Sequence, residues 1–245
     1  MTDPAVIRRA IAAGRPIGIL LVREGELSAE ISRLVEEARL AGVPVSIESA
    51  REMRRMSEDD VVPEILAMEG AAPATDLGSL MTREGVVFVL VGLRYPANVG
   101  FILRSAEVAG AAGVVVSNHW SDAEWAEARR VGMRADRFLS VLPARADAAV
   151  EAAVASGRRV VAVETSGGST PWTTDLTQPS AFLIGSEATG IPGNLLARAD
   201  EVLRIPSFGF IPSYNVQAAT SILLGEYLRQ SQLRQAHVEL PTVSR

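Results

Sequence analysis

Residues 86–93 read Val-Val-Phe-Val-Leu-Val-Gly-Leu, an apolar run without a polar side chain. Such a run predicts a strand covered on both faces, because a half-exposed strand alternates polar and apolar residues. Similar strands are expected at 113–117, 159–164, 181–185 and 201–205, with helices at about 98–110, 122–131, 147–156 and 214–234. Strands that alternate with helices predict an α/β domain with a mostly parallel sheet.

Upstream of this domain, residues 1–72 predict a separate small α/β unit. Helices are expected at about 5–13, 28–41 and 50–56, and strands at 17–23 and 43–48. Apolar positions with the spacing of one helix face occur within 28–41, and Gly42 is a common helix stop. Small residues and poor periodicity predict a linker over 73–84. The large domain is then expected over 85–235 and a loose tail over 236–245.

Composition excludes some classes of site. The chain has no cysteine, which rules out disulfides and thiolate metal ligands, and only two histidines, His119 and His237. No apolar run is long enough to cross a bilayer, and the N-terminus lacks the pattern of a signal peptide. These observations predict a cytoplasmic protein without a metal or a membrane partner.

The net charge of -5 argues against a broad basic footprint for nucleic acid. Residues 1–80 hold nine Arg against fourteen Asp plus Glu, whereas the rest of the chain holds fifteen of each. The larger domain is therefore neutral and can still present a local basic face. All basic residues are Arg, which suits bidentate phosphate contacts and is also typical of a GC-rich genome.

Three blocks that follow predicted strands, at 98–110, 184–190 and 205–215, predict the functional site, because ligands of open α/β sheets lie beyond the carboxyl ends of strands. The first block reads Asn-Val-Gly-Phe-Ile-Leu-Arg-Ser-Ala-Glu-Val-Ala-Gly. Asn98 is placed to cap a helix, and Gly100 permits a close approach to the backbone. Arg104 and Glu107 share a helix face with Gly100, either as functional groups or as a solvated ion pair.

The second block, Ile-Gly-Ser-Glu-Ala-Thr-Gly, places a carboxylate between two glycines, as a loop around a ligand would, or as an ordinary turn would. The third block reads Ile-Pro-Ser-Phe-Gly-Phe-Ile-Pro-Ser-Tyr-Asn, and its two prolines restrict the loop. Ser213 is placed to cap the next helix, with Asn215 in its first turn, as a ligand group or only as a cap partner.

Together the blocks resemble the motifs of the SpoU/TrmH family of RNA ribose 2'-O-methyltransferases, within the SPOUT superfamily. Three motifs in order, across about half the chain, are far more specific than any one alone. Residues 1–70 resemble, more loosely, the small substrate-binding domain that precedes many members. The matching positions are Asn98, Gly100, Arg104, Ala106 and Gly110, then Gly185, Glu187 and Gly190, then Ile205, Pro206, Gly209, Ser213, Asn215 and Val216.

The resemblance implies a SPOUT domain with a trefoil knot, which general topology rules argue against, and an obligate homodimer with the site at its interface. It implies S-adenosylmethionine (AdoMet) as cofactor and 2'-O-methylation of structured RNA. The separate first unit favours large-subunit rRNA over tRNA. Cofactor binding is implied for Thr165, Gly185, Ile205 and Tyr214, and catalysis or RNA contact for Asn98, Arg104, Glu187, Ser213 and Asn215.

The family's proton acceptor corresponds to Arg104. A guanidinium normally stays protonated, so we expect Arg104 to anchor a phosphate and to stabilise the developing alkoxide instead. The chain also departs from the family pattern. Tyr214 replaces a Leu, Ser207 replaces a Met, and residues 130–135 lack the expected small Ser and Gly; these differences bear on the geometry of the cofactor site.

The sequence also permits two other functions, a tRNA methyltransferase and a non-catalytic RNA-binding homologue of the same fold. A nucleotide-dependent oxidoreductase is excluded, because no predicted strand is followed by a Gly-x-Gly-x-x-Gly turn.

Overall fold

The computed structural model of the chain describes residues 1–57 and 61–239, and side chains of the last helix as far as Arg234. The chain divides into two compact units, Met1–Pro73 and Ala74–Arg245.

The first unit is a three-stranded sheet with helices. Strand β1 lies in the centre, parallel to β2 and antiparallel to β3. Ser28 caps α2 through its Oγ, and the apolar stripe of that helix is buried as its spacing predicts. The elements are α1 Pro4–Ala12, β1 Ile17–Arg23, α2 Ala29–Leu40, β2 Val45–Glu48, α3 Ala50–Met56 and β3 Ile65–Glu69.

Strand β3 is absent from the sequence prediction. Its residues, Ile-Leu-Ala-Met-Glu, are mostly strong helix formers, and no polar alternation marks them as a strand. Pairing with β1 determines the conformation of this segment, and a local pattern cannot report such a distant partner.

The second unit contains six parallel strands in the order β6-β5-β4-β8-β7-β9. The sheet confirms the expected α/β class with a mostly parallel sheet. The elements are α4 Leu77–Met81, β4 Val86–Val91, α5 Pro96–Val108, β5 Gly113–Ser117, α6 Asp122–Val131, β6 Ser140–Pro143, α7 Ala146–Ala155, β7 Arg159–Glu164, β8 Ser180–Ile184, α8 Gly193–Leu196, β9 Glu201–Arg204 and α9 Val216–Glu239.

Both faces of this sheet are covered. Every residue of β4 is buried, as its continuous apolar run predicts. Phe88 and Leu90 face a core that also contains apolar residues of α5 and α9, whereas Val87 and Val89 face one that contains residues of α4, α7 and α8. Phe88 stacks on Phe182 of β8 with ring centroids 5.7 Å apart.

Two expected boundaries differ in the structure. The stretch 73–84, expected as a linker, contains α4, whose Leu80 and Met81 are buried in the core of the second unit. Asp76 caps α4 by accepting from Ser79 N, a signal hidden among small residues. Helix α9 continues to Glu239, past the expected tail start at 236, while residues 240–245 lie outside the described part of the chain.

The strand order places the functional segments together. From β4 the chain proceeds outward to β5 and β6, then crosses to the other half of the sheet, so the direction of winding changes between β4 and β8. All strands of this sheet are parallel, and the segments after β4, β8, β7 and β9 therefore leave the same edge. Such a switch point is the usual ligand position in an open α/β sheet.

Candidate active site

A cavity of about 470 Å³ opens at this edge, a size typical of small-molecule sites. Its walls come from the ends of β7, β8 and β9, the loop after each strand and the start of α9. The lining residues are Val163, Glu164, Thr165, Ile184, Gly185, Ser186, Glu187, Gly190, Ile205, Ser207, Pro212, Ser213, Tyr214, Asn215, Val216 and Ala219.

Most residues singled out from the sequence lie in this one place. Asn98, on α5, is not part of the wall but reaches it through a hydrogen bond, whereas Arg104 lies elsewhere on α5. The lining includes Thr165, Gly185, Glu187, Ile205, Ser213, Tyr214 and Asn215.

Asn215, Asn98 and Glu187 form a chain of hydrogen bonds at the cavity. Asn215 donates from Nδ2 to Asn98 Oδ1 at 3.4 Å, and Asn98 donates from Nδ2 to Glu187 Oε1 at 2.6 Å. These two hydrogen bonds join the segments after β4, β8 and β9, which are far apart in sequence. Each amide has one defined orientation, and the carboxylate at the end strengthens its bond to Asn98.

Helix capping at the site differs from the sequence prediction. Helix α9 begins at Val216, and Asn215 rather than Ser213 caps it, because Asn215 Oδ1 accepts from Gln217 N at 2.9 Å. This bond orients the Asn215 amide so that its Nδ2 points to Asn98. Helix α5 begins at Pro96 with Tyr95 at the cap position, so Asn98 lies inside the first turn and its side chain is available for Glu187.

The loop after β8 requires glycine at its first position. A Cβ on Gly185 would lie 2.3 Å from the carbonyl carbon of Gly190 and 2.5 Å from Ile191 N. The backbone at both ends of the loop is therefore in contact. Ser186 Oγ also accepts from Thr189 N at 3.1 Å, and these contacts hold Glu187 at the tip of a closed loop.

Glu164 is a cavity residue that the sequence reasoning missed. Its Oε1 accepts from Ile191 N at 2.7 Å and so connects the end of β7 to the loop after β8. A glutamate at the end of a strand ordinarily indicates a solvated turn, and only the pairing of β7 with β8 places this carboxylate in a cavity.

Tyr214, one of the departures from the family pattern, stabilises its own loop. Its hydroxyl donates to Pro206 O at 3.2 Å, and its side chain lines the cavity while remaining 44% exposed. The hydroxyl thus closes the loop from 206 to 214. Ser207, the other replaced position, also lines the cavity.

Arg104 is exposed on α5, and no ion pair joins it to Glu107 among the described residues, which contradicts the solvated-pair interpretation. Partial burial raises the pKa of Glu107 above its ordinary value. Gly100, on the same helix, permits a close approach as expected, but the neighbour is α6. A Cβ there would lie 2.5 Å from Ala128 O.

The backbone is strained within residues 130–135, where the chain lacks the small Ser and Gly of the family pattern. Met133 and Arg134 have φ of 52° and 60°, in the left-handed region that favours glycine. The absence of the expected small residues therefore has a conformational cost. An ion pair of Arg134 with Asp136, at 3.6 Å, helps hold the turn.

In the part of the chain that the structure describes, no three His, Cys, Asp or Glu side chains are grouped to hold a metal ion. No helix within 1–57 or 61–239 combines the length and the apolar character needed to span a bilayer.

Comparison with known proteins identifies the family of the chain. Residues 85–225 match the model of the SpoU rRNA methylase family, which covers more than half of the chain. The chain belongs to the SpoU rRNA methylase family. The matched residues span β4 to the first part of α9. They include all nine residues for which the resemblance implies cofactor binding, catalysis or RNA contact.

Individual SpoU relatives cover most of the chain. It is 30% identical over 234 residues to the 23S rRNA (uridine(2479)-2'-O)-methyltransferase of Streptomyces viridochromogenes, covering 91% of this chain and 80% of that protein. The crystal structure of the SpoU methyltransferase AviRb from the same species, in complex with AdoMet, superposes with a TM-score of 0.57 and 26% identity, covering 94% of this chain and 88% of that one.

A third relative is the mouse tRNA (guanosine(18)-2'-O)-methyltransferase TARBP1. It is 33% identical over 178 residues, which cover 69% of this chain but only 11% of that much longer protein. The SpoU relatives of this chain therefore include proteins named for rRNA and for tRNA.

Proposed function

We propose that the chain transfers a methyl group from AdoMet to a ribose 2'-oxygen of structured RNA, with large-subunit rRNA favoured over tRNA. The observation that carries this proposal is the hydrogen-bonded chain of Asn215, Asn98 and Glu187 beside the cavity. A chain that acts on ribosomal RNA is expected in the cytoplasm.

The chemistry of the cavity suits AdoMet, a cation with an apolar adenine ring. Among the described residues, its lining includes the carboxylates of Glu164 and Glu187 and contains no Arg. Ile184, Ile205 and Val216 provide apolar surface. We assign cofactor binding to Thr165, Gly185, Ile205 and Tyr214. When bound, the cofactor supplies an electrophilic methyl group.

Alignment is the main contribution of the protein to this reaction. A fixed approach of two reacting groups can account for about 7–11 kcal/mol of a barrier. Asn98, Glu187 and Asn215 are mutually oriented before any substrate arrives, and Ser213 lies beside them on the cavity wall. We assign to these four side chains the positioning of the RNA ribose, with its 2'-hydroxyl directed into the cavity.

Arg104 is assigned to a site formed with a second copy of the chain. It lies six positions after Asn98, which puts the two side chains about 120° apart around α5. On its own face, Arg104 lies between Phe101, 48% exposed, and Val108, 75% exposed. This apolar strip around a cation fits a homodimer interface. There the guanidinium would bind RNA phosphate and stabilise the developing alkoxide of the partner's site.

The trefoil knot also belongs to this proposal. The segment between β7 and β8 bonds to β9, where Arg204 N donates to Ser169 O at 2.8 Å. It also holds α9, because Gln230 Oε1 accepts from Leu176 N at 2.9 Å. Contacts of one loop with both later elements support a C-terminal knot. For the first unit, Met1–Pro73, we propose the role of RNA substrate-binding domain.

The orienting role of Asn98 predicts a pH-dependent defect. In Asn98→Asp a second carboxylate faces Glu187, and like charge raises the pKa of one of the two. At pH 8 both are ionised and repel, so kcat/KM should fall at least tenfold. Below the raised pKa a shared proton restores the hydrogen bond, and the ratio of variant to wild-type activity should rise as pH falls.

Single-turnover methyl transfer between pH 5.5 and 8.5 tests this prediction. Asn98→Ala is the control, because it removes the hydrogen bond to Glu187 without adding a carboxylate, so its defect should not depend on pH. A defect in Asn98→Asp that does not change with pH would contradict the carboxylate pairing.

A site shared between subunits predicts complementation. Arg104→Ala and Asn215→Ala should each lower activity at least tenfold. In a heterodimer of the two, isolated through two different tags, one site has an intact cavity and the intact Arg104 of its partner. About half of the wild-type activity should return, because one of the two sites is complete.

The controls for this test are the two variant homodimers purified in the same way. An inactive heterodimer would show that Arg104 acts within its own subunit. A Val108→Glu variant that stays dimeric in sedimentation would place the interface elsewhere.

tRNA is the second candidate substrate, favoured by the 33% identity to the mouse tRNA methyltransferase. Parallel assays on rRNA and tRNA transcripts with labelled AdoMet separate the two. A third outcome, RNA binding without AdoMet binding in calorimetry at millimolar ligand, would identify a non-catalytic homologue.

A further inference from the structure

The loop between Pro206 and Pro212 presents two aromatic rings to solvent. Phe208 and Phe210 have relative exposures of 100% and 104%, the highest of the large apolar side chains in the described residues, and Ile211 is 74% exposed. Exposure of three large apolar side chains in four residues is unfavourable unless the loop has a binding partner.

This loop adjoins the cavity and is restrained at its base. Ser207 and Pro212, on either side of the two rings, line the cavity. The Tyr214 hydroxyl bonds to Pro206 O, and two prolines limit the backbone. No heavy atom lies within 4 Å of a Cβ built on Gly209, between the rings, so the loop backbone there has open space around it.

We propose that Phe208 and Phe210 form a stacking platform for an unpaired base of the RNA substrate, next to the nucleotide whose ribose enters the site. This inference rests on the proposed function. A ribose inside a regular helix cannot reach a cavity in a protein, so the target segment has to be unpaired and its bases unstacked. Exposed aromatic faces beside the cavity replace the stacking that those bases lose.

The loop carries no charged side chain, so it differs from a site that binds RNA through phosphate. Residues 205–215 contain no Arg, Asp or Glu, so the loop contributes stacking rather than attraction for phosphate. Its share of the binding free energy should depend little on salt, in contrast to that of Arg104. RNA is a better occupant than a second copy of the chain, because the proposed reaction brings RNA to this cavity and the exposed strip of Phe101 and Val108 is already assigned to the dimer.

The test compares two ten-nucleotide probes, oligo(A) and an abasic oligoribonucleotide, by fluorescence anisotropy at fixed salt. Wild type should bind oligo(A) about tenfold more tightly than the abasic probe. The double variant Phe208→Leu, Phe210→Leu retains apolar area but loses the rings, and it should bind both probes alike. A double Phe→Tyr variant should retain the preference. Trp172→Leu, an exposed aromatic outside the loop, is the control and should also retain it.

Calorimetry and sedimentation distinguish a failure of the stacking platform from a failure of the proposed function. Calorimetry with AdoMet should give the same affinity for wild type and the leucine variant, and a wild type that does not bind AdoMet would overturn the proposed function itself. A leucine variant that still prefers oligo(A) would overturn the platform. A leucine variant that becomes monomeric in sedimentation would show that the loop is a protein interface, which also overturns it.

Discussion

Gly185→Ala should lower AdoMet affinity and kcat/KM by about 100-fold, because a displacement of about 1 Å in a positioned site has this order of effect. The added methyl group would lie 2.3 Å from the Gly190 carbonyl carbon and 2.7 Å from its oxygen. Both atoms are backbone, so the loop has to open rather than a side chain rotate. Opening would move Glu187 away from Asn98 and strain the bond from Ile191 N to Glu164.

Calorimetry with AdoMet and steady-state methyl transfer measure this effect. Gly193→Ala is the matched control, because a Cβ there meets nothing within 4 Å and the residue begins α8. Its affinity should equal that of wild type. Wild-type affinity in Gly185→Ala would mean that the cofactor does not bind against this loop.

Arg158→Met should destabilise the second unit by about 3 kcal/mol or more, without any contact with the site. Arg158 is only 3% exposed, and its guanidinium donates to four backbone carbonyls. Burial lowers the pKa of this guanidinium, and the Tyr227 side chain opposes that shift. Methionine fills a similar volume but removes all four of these hydrogen bonds. The acceptors are the carbonyls of Met81, Arg83, Gly85 and Ser180.

Urea unfolding followed by tryptophan fluorescence reports this loss. Trp120, Trp125 and Trp172 all belong to the second unit, so the signal is specific to it. Arg145→Met, which removes an exposed partner of Asp147, should leave the midpoint almost unchanged. Equal midpoints for wild type and Arg158→Met would contradict the structural role of the four carbonyl contacts.

Local patterns predicted five of the six strands of the large sheet but not which strands are neighbours. The apolar run of β4 indicates burial on both faces, and the structure agrees. The order β6-β5-β4-β8-β7-β9 depends on pairings between distant segments, which no window of sequence contains. For the same reason β3 and the four-residue β6 were missed, because pairing rather than propensity determines their conformation.

The motifs correctly predicted which segments form the cavity, but some single residues have other roles than predicted. The match to the family motifs named seven residues that now line one cavity, yet a capping rule misplaced two caps. Pro96 at the first position of α5 was the better start signal than Asn98. For α9, Ser213 and Asn215 were both acceptable caps by residue type, and only the conformation of the preceding loop distinguishes them.

The places of Arg104 and Glu164 depend on geometry that motif spacing does not contain. Motif spacing grouped Arg104 with Asn98, although helix periodicity already places them on different faces. Glu164 carried no motif, and its place in the cavity follows only from the pairing of β7 with β8.

The most direct test is methyl transfer from labelled AdoMet to in vitro transcribed large-subunit rRNA and tRNA, followed by alkaline hydrolysis. A 2'-O-methyl group blocks alkaline cleavage at its own nucleotide. The expected result is one alkali-resistant labelled position in the large-subunit rRNA, absent with Asn215→Ala. No transfer to either RNA, or label on a base that leaves alkaline cleavage intact, would contradict the assignment of this cavity to ribose methylation.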